Sequence, residues 1–140
     1  MTLTAARLAE ALRSALAVDE EADGGDGLTV RHDGTVASLR VVSIAEGLEV
    51  VSLTQVLAWD VPVTAALHEA VAAQARALNF GALILAGVSA DEAGQPGAAA
   101  STDVLLRYNF PGSGLTDEAL RTVVLLVLDG GVQARRILTT

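Results

Sequence analysis

Apolar residues recur along the chain in two rhythms, and the way the rhythms follow one another sets out an order of elements. Over residues 3–18, Leu8, Leu12, Ala15 and Leu16 fall on one stripe while Arg7, Glu10 and Arg13 fall away from it. That is the period of an amphipathic helix, with Thr4 placed to cap it. Runs at 28–33, 35–45 and 48–58 carry the two-residue period of strands. Asp33-Gly34 and Glu46-Gly47 separate these runs, and turns this short join antiparallel neighbours, so the three runs predict a meander. A second helix is expected over 62–78, opened by Asp60 and Pro62. It carries Val63, Leu67, Ala70, Val71 and Leu78 on one side, with Asn79 and Gly81 at its end.

Two more strands follow, at 82–88 and 102–110. Ala82–Ala86 is apolar without alternation, the pattern of a central strand buried on both faces. In the other, Val104, Leu106, Tyr108 and Phe110 alternate with Asp103, Arg107 and Asn109. A final helix opens at Thr116. Asp117 and Glu118 suit the positive end of its dipole, and Leu115 and Leu120 stand at staple spacing around the cap. This helix is apolar almost all round, so burial on more than one side is expected, and Gly130-Gly131 is expected to break or kink it.

The resulting order, α-β-β-β-α-β-β-α, defines an α+β fold: an antiparallel sheet packed with helices, in a single domain over residues 1–140. Residues 19–27 read as an acidic, Gly-rich linker and residues 89–101 as a long flexible loop. One feature of the meander is irregular. Leu39, Val41 and Leu53 lie on odd positions, whereas Val42, Ile44, Val50 and Val56 lie on even ones. Both faces are therefore partly apolar. Either helices cover both faces, or one face meets another protein, or a bulge near Val41-Val42 shifts the alternation.

Composition narrows the chemistry. Apolar residues make up 51% of the chain, yet the only aromatic rings besides histidine are Trp59, Phe80, Tyr108 and Phe110. The core must be aliphatic, and there is little ring surface for stacking bases or sugars. The net charge is −8, and all nine basic residues are arginine. An acidic chain without an arginine cluster repels phosphate backbones, so no nucleic-acid partner is expected. The absence of lysine removes Schiff-base chemistry and the P-loop lysine. The absence of cysteine removes disulfides and thiol nucleophiles. Met1–Arg7 carries no long apolar core, and the longest apolar run is Val123–Leu128, far short of the ~20 residues that span a bilayer. A cytoplasmic protein without a membrane partner is expected.

Candidate sites are few. Asp19, Glu21, Asp23 and Gly24 match the start of a calcium loop, but the twelfth position, where a bidentate carboxylate belongs, is Val30; a solvated linker is the better reading. Gly112-Ser113-Gly114 precedes a helix, but Asp117 and Glu118 would oppose a phosphate there, so it reads as a turn and cap. His32 and His68 belong to no metal or nucleophile motif, and there is no G-x-S-x-G elbow. No catalytic, metal or cofactor residue is therefore assigned, no cofactor is expected, and the expected protein is not an enzyme.

The element order resembles the YbjN-like family and the wider type III secretion chaperone-like fold. The segments that carry the likeness are Leu48–Thr54 after a hairpin, the helix end at Ala75–Gly81, the strands Ala82–Ala86 and Val104–Tyr108, and the helix start at Gly114–Leu120. The resemblance implies a homodimer that binds other polypeptides. Carried to this chain, it implies a dimer contact at Leu67, Val71, Leu83 and Leu85. It implies a partner surface on the first helix and meander, at Leu8, Leu12, Val50 and Leu53. The leading expectation is a non-enzymatic, chaperone-like, polypeptide-binding homodimer. The alternatives are a small-ligand regulatory domain with a pocket under the 89–101 loop, and an enzyme built on dispersed carboxylates.

Overall fold

Three threonines start the three helices in the computed structural model of the chain, which describes residues 2–21, 25, 27–89 and 100–139 and, at 88 and 89, the backbone alone. Thr4, Thr64 and Thr116 each accept the backbone N–H of the residue three further on, Arg7, Leu67 and Ala119, at 3.1, 3.0 and 3.1 Å. Each cap satisfies one orphaned donor and is worth about 1 kcal/mol over alanine. The helices they open are α1 (Ala5–Leu12), α2 (Ala65–Ala77) and α3 (Asp117–Leu138).

Six strands complete the fold: β1 (Ala17–Glu20), β2 (Gly27–His32), β3 (Thr35–Ala45), β4 (Leu48–Pro62), β5 (Ala82–Ser89) and β6 (Ser101–Pro111). All adjacent pairs run antiparallel, in the order β1-β2-β3-β4-β6-β5. The expected meander is β2-β3-β4. Asp33 (φ 45°) and Gly34 (φ 80°) both turn left-handed between β2 and β3, the geometry that matches strand twist across a two-residue hairpin. The sheet has one covered face, formed by Leu28, Val30, Ala37, Leu39, Val51, Leu53, Val104 and Leu106, and it shares one buried cluster with Leu8 and Leu12 of α1 and Leu120, Val124 and Leu128 of α3.

Several expectations change. The stripe over 3–18 is not one helix: α1 ends at Leu12, and Ala17–Glu20 pairs along β2 as strand β1. Leu16 and Val18 still reach the core, now with strand period. Arg13, just past α1, ion-pairs with both Glu10 and Glu20 and so ties the helix end to β1; the hydrogen bond to Glu20, chiefly, raises its pKa. The expected linker therefore begins and ends in strand, and residues 22–24 and 26 lie outside the described residues, as do 90–99 of the expected loop. Asp60 and Pro62 do not open α2, because β4 runs to Pro62 through irregularities between Val56 and Val61. Ala82–Ala86 is not in a central strand: among the described residues β5 pairs with β6 alone and forms an edge, while β6 takes the place beside β4. Register is continuous through Val41↔Val51 and Val42↔Val50, and the irregularity falls between Ser43 and Ala45.

Gly130-Gly131 does not break α3, which runs without interruption from Asp117 to Leu138. Gly131 is instead a point of close approach. A Cβ there would stand 1.9 Å from Gln55 Oε1. Gln55 is wholly buried on β4, and its amide donates to Thr35 Oγ1 at 2.9 Å and to the Leu128 carbonyl of α3 at 3.1 Å. Polar ties fix α1 to the same helix. The Arg121 guanidinium donates to Ala11 O at 2.8 Å, and Arg7 donates to Leu115 O and pairs with Asp117. At the far end of the sheet, buried Glu49 accepts the Leu3 N–H at 2.8 Å, while its own backbone binds Ser113 and Gly112. The Gly112-Ser113 turn thus serves to dock the chain onto β4.

Glycine-to-alanine changes in adjacent positions of α3 should therefore have opposite signs. Gly131→Ala drives a methyl into Gln55 and is expected to cost about 1–3 kcal/mol in denaturant unfolding. Gly130→Ala, whose Cβ would make an ordinary 3.5 Å contact with Leu78, is expected to gain about 0.5–1 kcal/mol. Glu49→Ala leaves the Leu3 N–H without its acceptor and should cost about 1–3 kcal/mol, largely recovered in Glu49→Gln, which keeps an acceptor oxygen.

Candidate interaction surfaces

All three helices pack on one side of the sheet, and they do so unequally. Leu67 is the only buried residue of α2, which rests on β5 and α3 at the end of the layer. Between α2 and the outer side of α3 lies a hollow of about 270 Å³. Phe80, Leu126 and Ile137 line it at 38%, 50% and 54% exposure. The polar groups in its lining are the amides of Gln74, Asn79 and Gln133, and no carboxylate borders it. Leu126, Gly130, Gln133 and Ile137 follow one another at helical spacing, so α3 has a second, outward stripe. The expectation that this helix is buried on more than one side is not met in the single chain. Phe80 stands edge-on to Tyr108 at 5.9 Å, and Tyr108 stacks on Phe110 at 5.7 Å, so the hollow borders the aromatic end of β6.

Two residues past Phe80 the chain enters β5, which among the described residues pairs on one side only and forms an edge of the sheet. Its residues, Ala82–Ser89, include no charge and no proline, the two devices that commonly blunt an exposed edge. The opposite edge is different: β1 is four residues long and carries Asp19 and Glu20.

Among the described residues, no helix lies on the second face of the sheet. Register places Ala17, Arg31, Val36, Val56, Leu105 and Ile84 in one row across all six strands. A second apolar row is Val42, Val50 and Pro111. Between them lie rows of Ser38, Thr54 and Arg107, and of Arg40, Ser52 and Asn109. Val36, Val42 and Ile44 are 42%, 41% and 61% exposed. The lone tryptophan, Trp59, is 66% exposed and shares a hollow with Val36 and Val56 at the rim of this face. Among the three explanations for the two-sided meander, the structure retains a face left open by the chain's own helices.

The residues singled out from the resemblance divide accordingly. Leu8, Leu12 and Leu53 are fully buried in the chain's own core and present no surface to a partner; Val50 is half-buried on the open face. Leu67 is buried, and Val71, Leu83 and Leu85 pack partly buried against the same core, so the chain itself occupies most of their surface. Of the calcium-loop residues, Asp19 ion-pairs with Arg31 at 2.8 Å and Glu21 with Arg40 at 3.0 Å, while Asp23 and Gly24 lie outside the described residues. His32 Nε2 lies 2.7 Å from Asp129 Oδ1, linking the first hairpin to α3, and His68 is exposed on α2. Phe80, Leu126, Ile137 and Trp59 were not anticipated as surface. For the α3 pair the signal was present in the spacing of Leu126, Gly130, Gln133 and Ile137. For Trp59 it was not, since its place depends on the irregular end of β4.

The chain is thus an α+β protein, whose described residues form a six-stranded antiparallel sheet and three helices. Compared with known proteins, it matches no family model, no curated protein and no solved structure. Among the described residues, no helix is long and apolar enough to cross a membrane, and no cluster of three or more His, Asp or Glu could hold a metal ion.

Because α2 is held chiefly by one buried side chain, Leu67→Ala should cost about 2–4 kcal/mol. Amide exchange should show the loss first in α2, with β3, β4 and α3 keeping their protection.

Proposed function

We propose that this chain is a non-enzymatic, homodimeric polypeptide-binding protein, chaperone-like in the sense the YbjN-like resemblance implies. The observation that carries this reading is an exposed apolar hollow between α2 and α3, lined by Phe80 just ahead of β5, together with an uncharged strand edge that has no second neighbour among the described residues. Main-chain groups along Ala82–Ala86 can receive an extended segment as a further strand, and such pairing is sequence-tolerant. Leu126, Ile137 and Phe80 then take up apolar side chains of the guest, where burial yields about 25 cal/mol per Å². The hollow favours this over a buried small ligand, because its volume falls below the ~300–1,000 Å³ usual for ligand pockets. The lack of a carboxylate or histidine in its lining favours binding over catalysis.

Selection from a random peptide library tests the reading. Extended, apolar peptides are expected to bind, with NMR shifts at the Ala82–Ala86 amides. Leu126→Asp, at an exposed position, should weaken binding at least roughly tenfold without altering the melting temperature by more than a few degrees. A library that yields no binder, or binders indifferent to Leu126→Asp, overturns it.

A further inference from the structure

The open face of the sheet needs an occupant of different shape from a peptide. It offers short side chains in rows, with neither a groove nor a ring across its middle. We propose that a second copy of this chain covers it, the two sheets packing face to face about a twofold axis. The inference rests on the homodimer of the reading above and is independent of its polypeptide binding.

Charge supports a second copy. The chain carries −8 overall, and like-charged copies repel. The open face is locally balanced, with Arg31, Arg40 and Arg107 set against Asp19, Glu21 and Asp103. Two of the arginines are already ion-paired within the chain, to Asp19 and Glu21, near the β1 edge. Two acidic molecules can therefore approach here without bringing their excess charge together. Composition supports it too. The rows consist largely of Val, Leu, Ile, Ser and Thr, which interdigitate across the ~10 Å that separates stacked sheets. In a twofold arrangement an apolar row can meet its own copy, as an isologous contact requires.

The area is also adequate. The six strands are four to fifteen residues long; at about 4.8 Å between strands and ~3.3 Å per residue, about 45 of their residues make a face of roughly 700 Å². Two such faces bury about 1,400 Å², within the ~1,200–2,000 Å² of stable, specific interfaces. Trp59, exposed beside Val36 and Val56, stands at the rim of this contact and reports on it.

Sedimentation of the full chain over a range of concentrations tests the proposal. The expected result is a monomer–dimer equilibrium in which Trp59 emission shifts to the blue as dimer forms. The double variant V36E/V42E should raise the dimer dissociation constant at least roughly 100-fold while retaining the far-UV circular dichroism of the parent. Since the chain has no cysteine, a single introduced thiol gives a second measurement that does not depend on that variant folding. Thr54→Cys, mid-face on β4, should cross-link through a short bismaleimide, whereas Ala73→Cys, exposed on α2, should not. A strict monomer overturns the proposal, as does undiminished dimerisation of a folded V36E/V42E, or preferential cross-linking through Ala73→Cys. Peptide-induced shifts at Val36 and Val56 in place of Ala82–Ala86 would assign the face to a guest and likewise overturn it. A monomer that still binds peptides at β5 sinks this inference alone; a dimer joined through Thr54→Cys that binds no peptide sinks only the polypeptide-binding reading.

Discussion

How closely α3 can approach β4 governs the whole helix layer. The side chain of Gln55 reaches across the sheet–helix boundary to a backbone carbonyl of α3, and the missing side chain at Gly131 leaves room for it. A buried amide placed between two backbones is demanding, since each unpaired polar atom is costly. Here the NH₂ finds two acceptors, whereas Oε1 has no hydrogen-bond partner among the described residues. That cost is offset by the aliphatic core that β4, β6 and α3 share, to which Leu53, Leu106, Val124 and Leu128 belong. Both other helices lean on α3: α1 through Arg121 and Arg7, α2 through the contact of Leu78 near Gly130. Moving α3 outward would loosen all three at once.

The same arrangement explains why the two sides of the sheet differ. Three helices on one side suffice to bury the odd positions of β3 and β4, but no segment among the described residues is left to cover the even ones. An antiparallel sheet tolerates one face in water when that face is polar. Here apolar rows lie at intervals among serines, threonines and paired arginines. That mixture keeps much of the face polar and still leaves apolar side chains such as Val36, Val42 and Ile44 exposed.

Local signals in the sequence were read well where they were self-contained. Thr4 and Thr116 announced their helices, Asp33-Gly34 announced its hairpin, and the period-two pattern of 102–110 announced β6. The failures share a cause: strand order and helix length depend on contacts distant in sequence. An apolar run such as Ala82–Ala86 has the same composition whether it lies centrally or at an edge, and only the insertion of β6 beside β4 decides between them. The stripe over 3–18 fits a helix by spacing alone; what converts its last residues to strand is the availability of β2 as a partner. Gly130-Gly131 looked like a breaker because propensity is a local quantity, while the need for room beside Gln55 is not. The interaction surfaces were half legible. The two-faced meander points to an uncovered side, but Leu8, Leu12 and Leu53 lie in the core, because an apolar residue in sequence does not declare which neighbour will cover it.

The unlike edges of the sheet have a consequence for how far the molecule can assemble. A strand-to-strand fibre needs every copy to present two receptive edges, one to give and one to take. Among the described residues this sheet has one: β5 has no second neighbour, while β1 is short and acidic. Any joining through backbone pairing therefore uses up the receptive edge of each participant and leaves acidic ends facing outward. Between single chains, growth by strand pairing alone then stops at a pair.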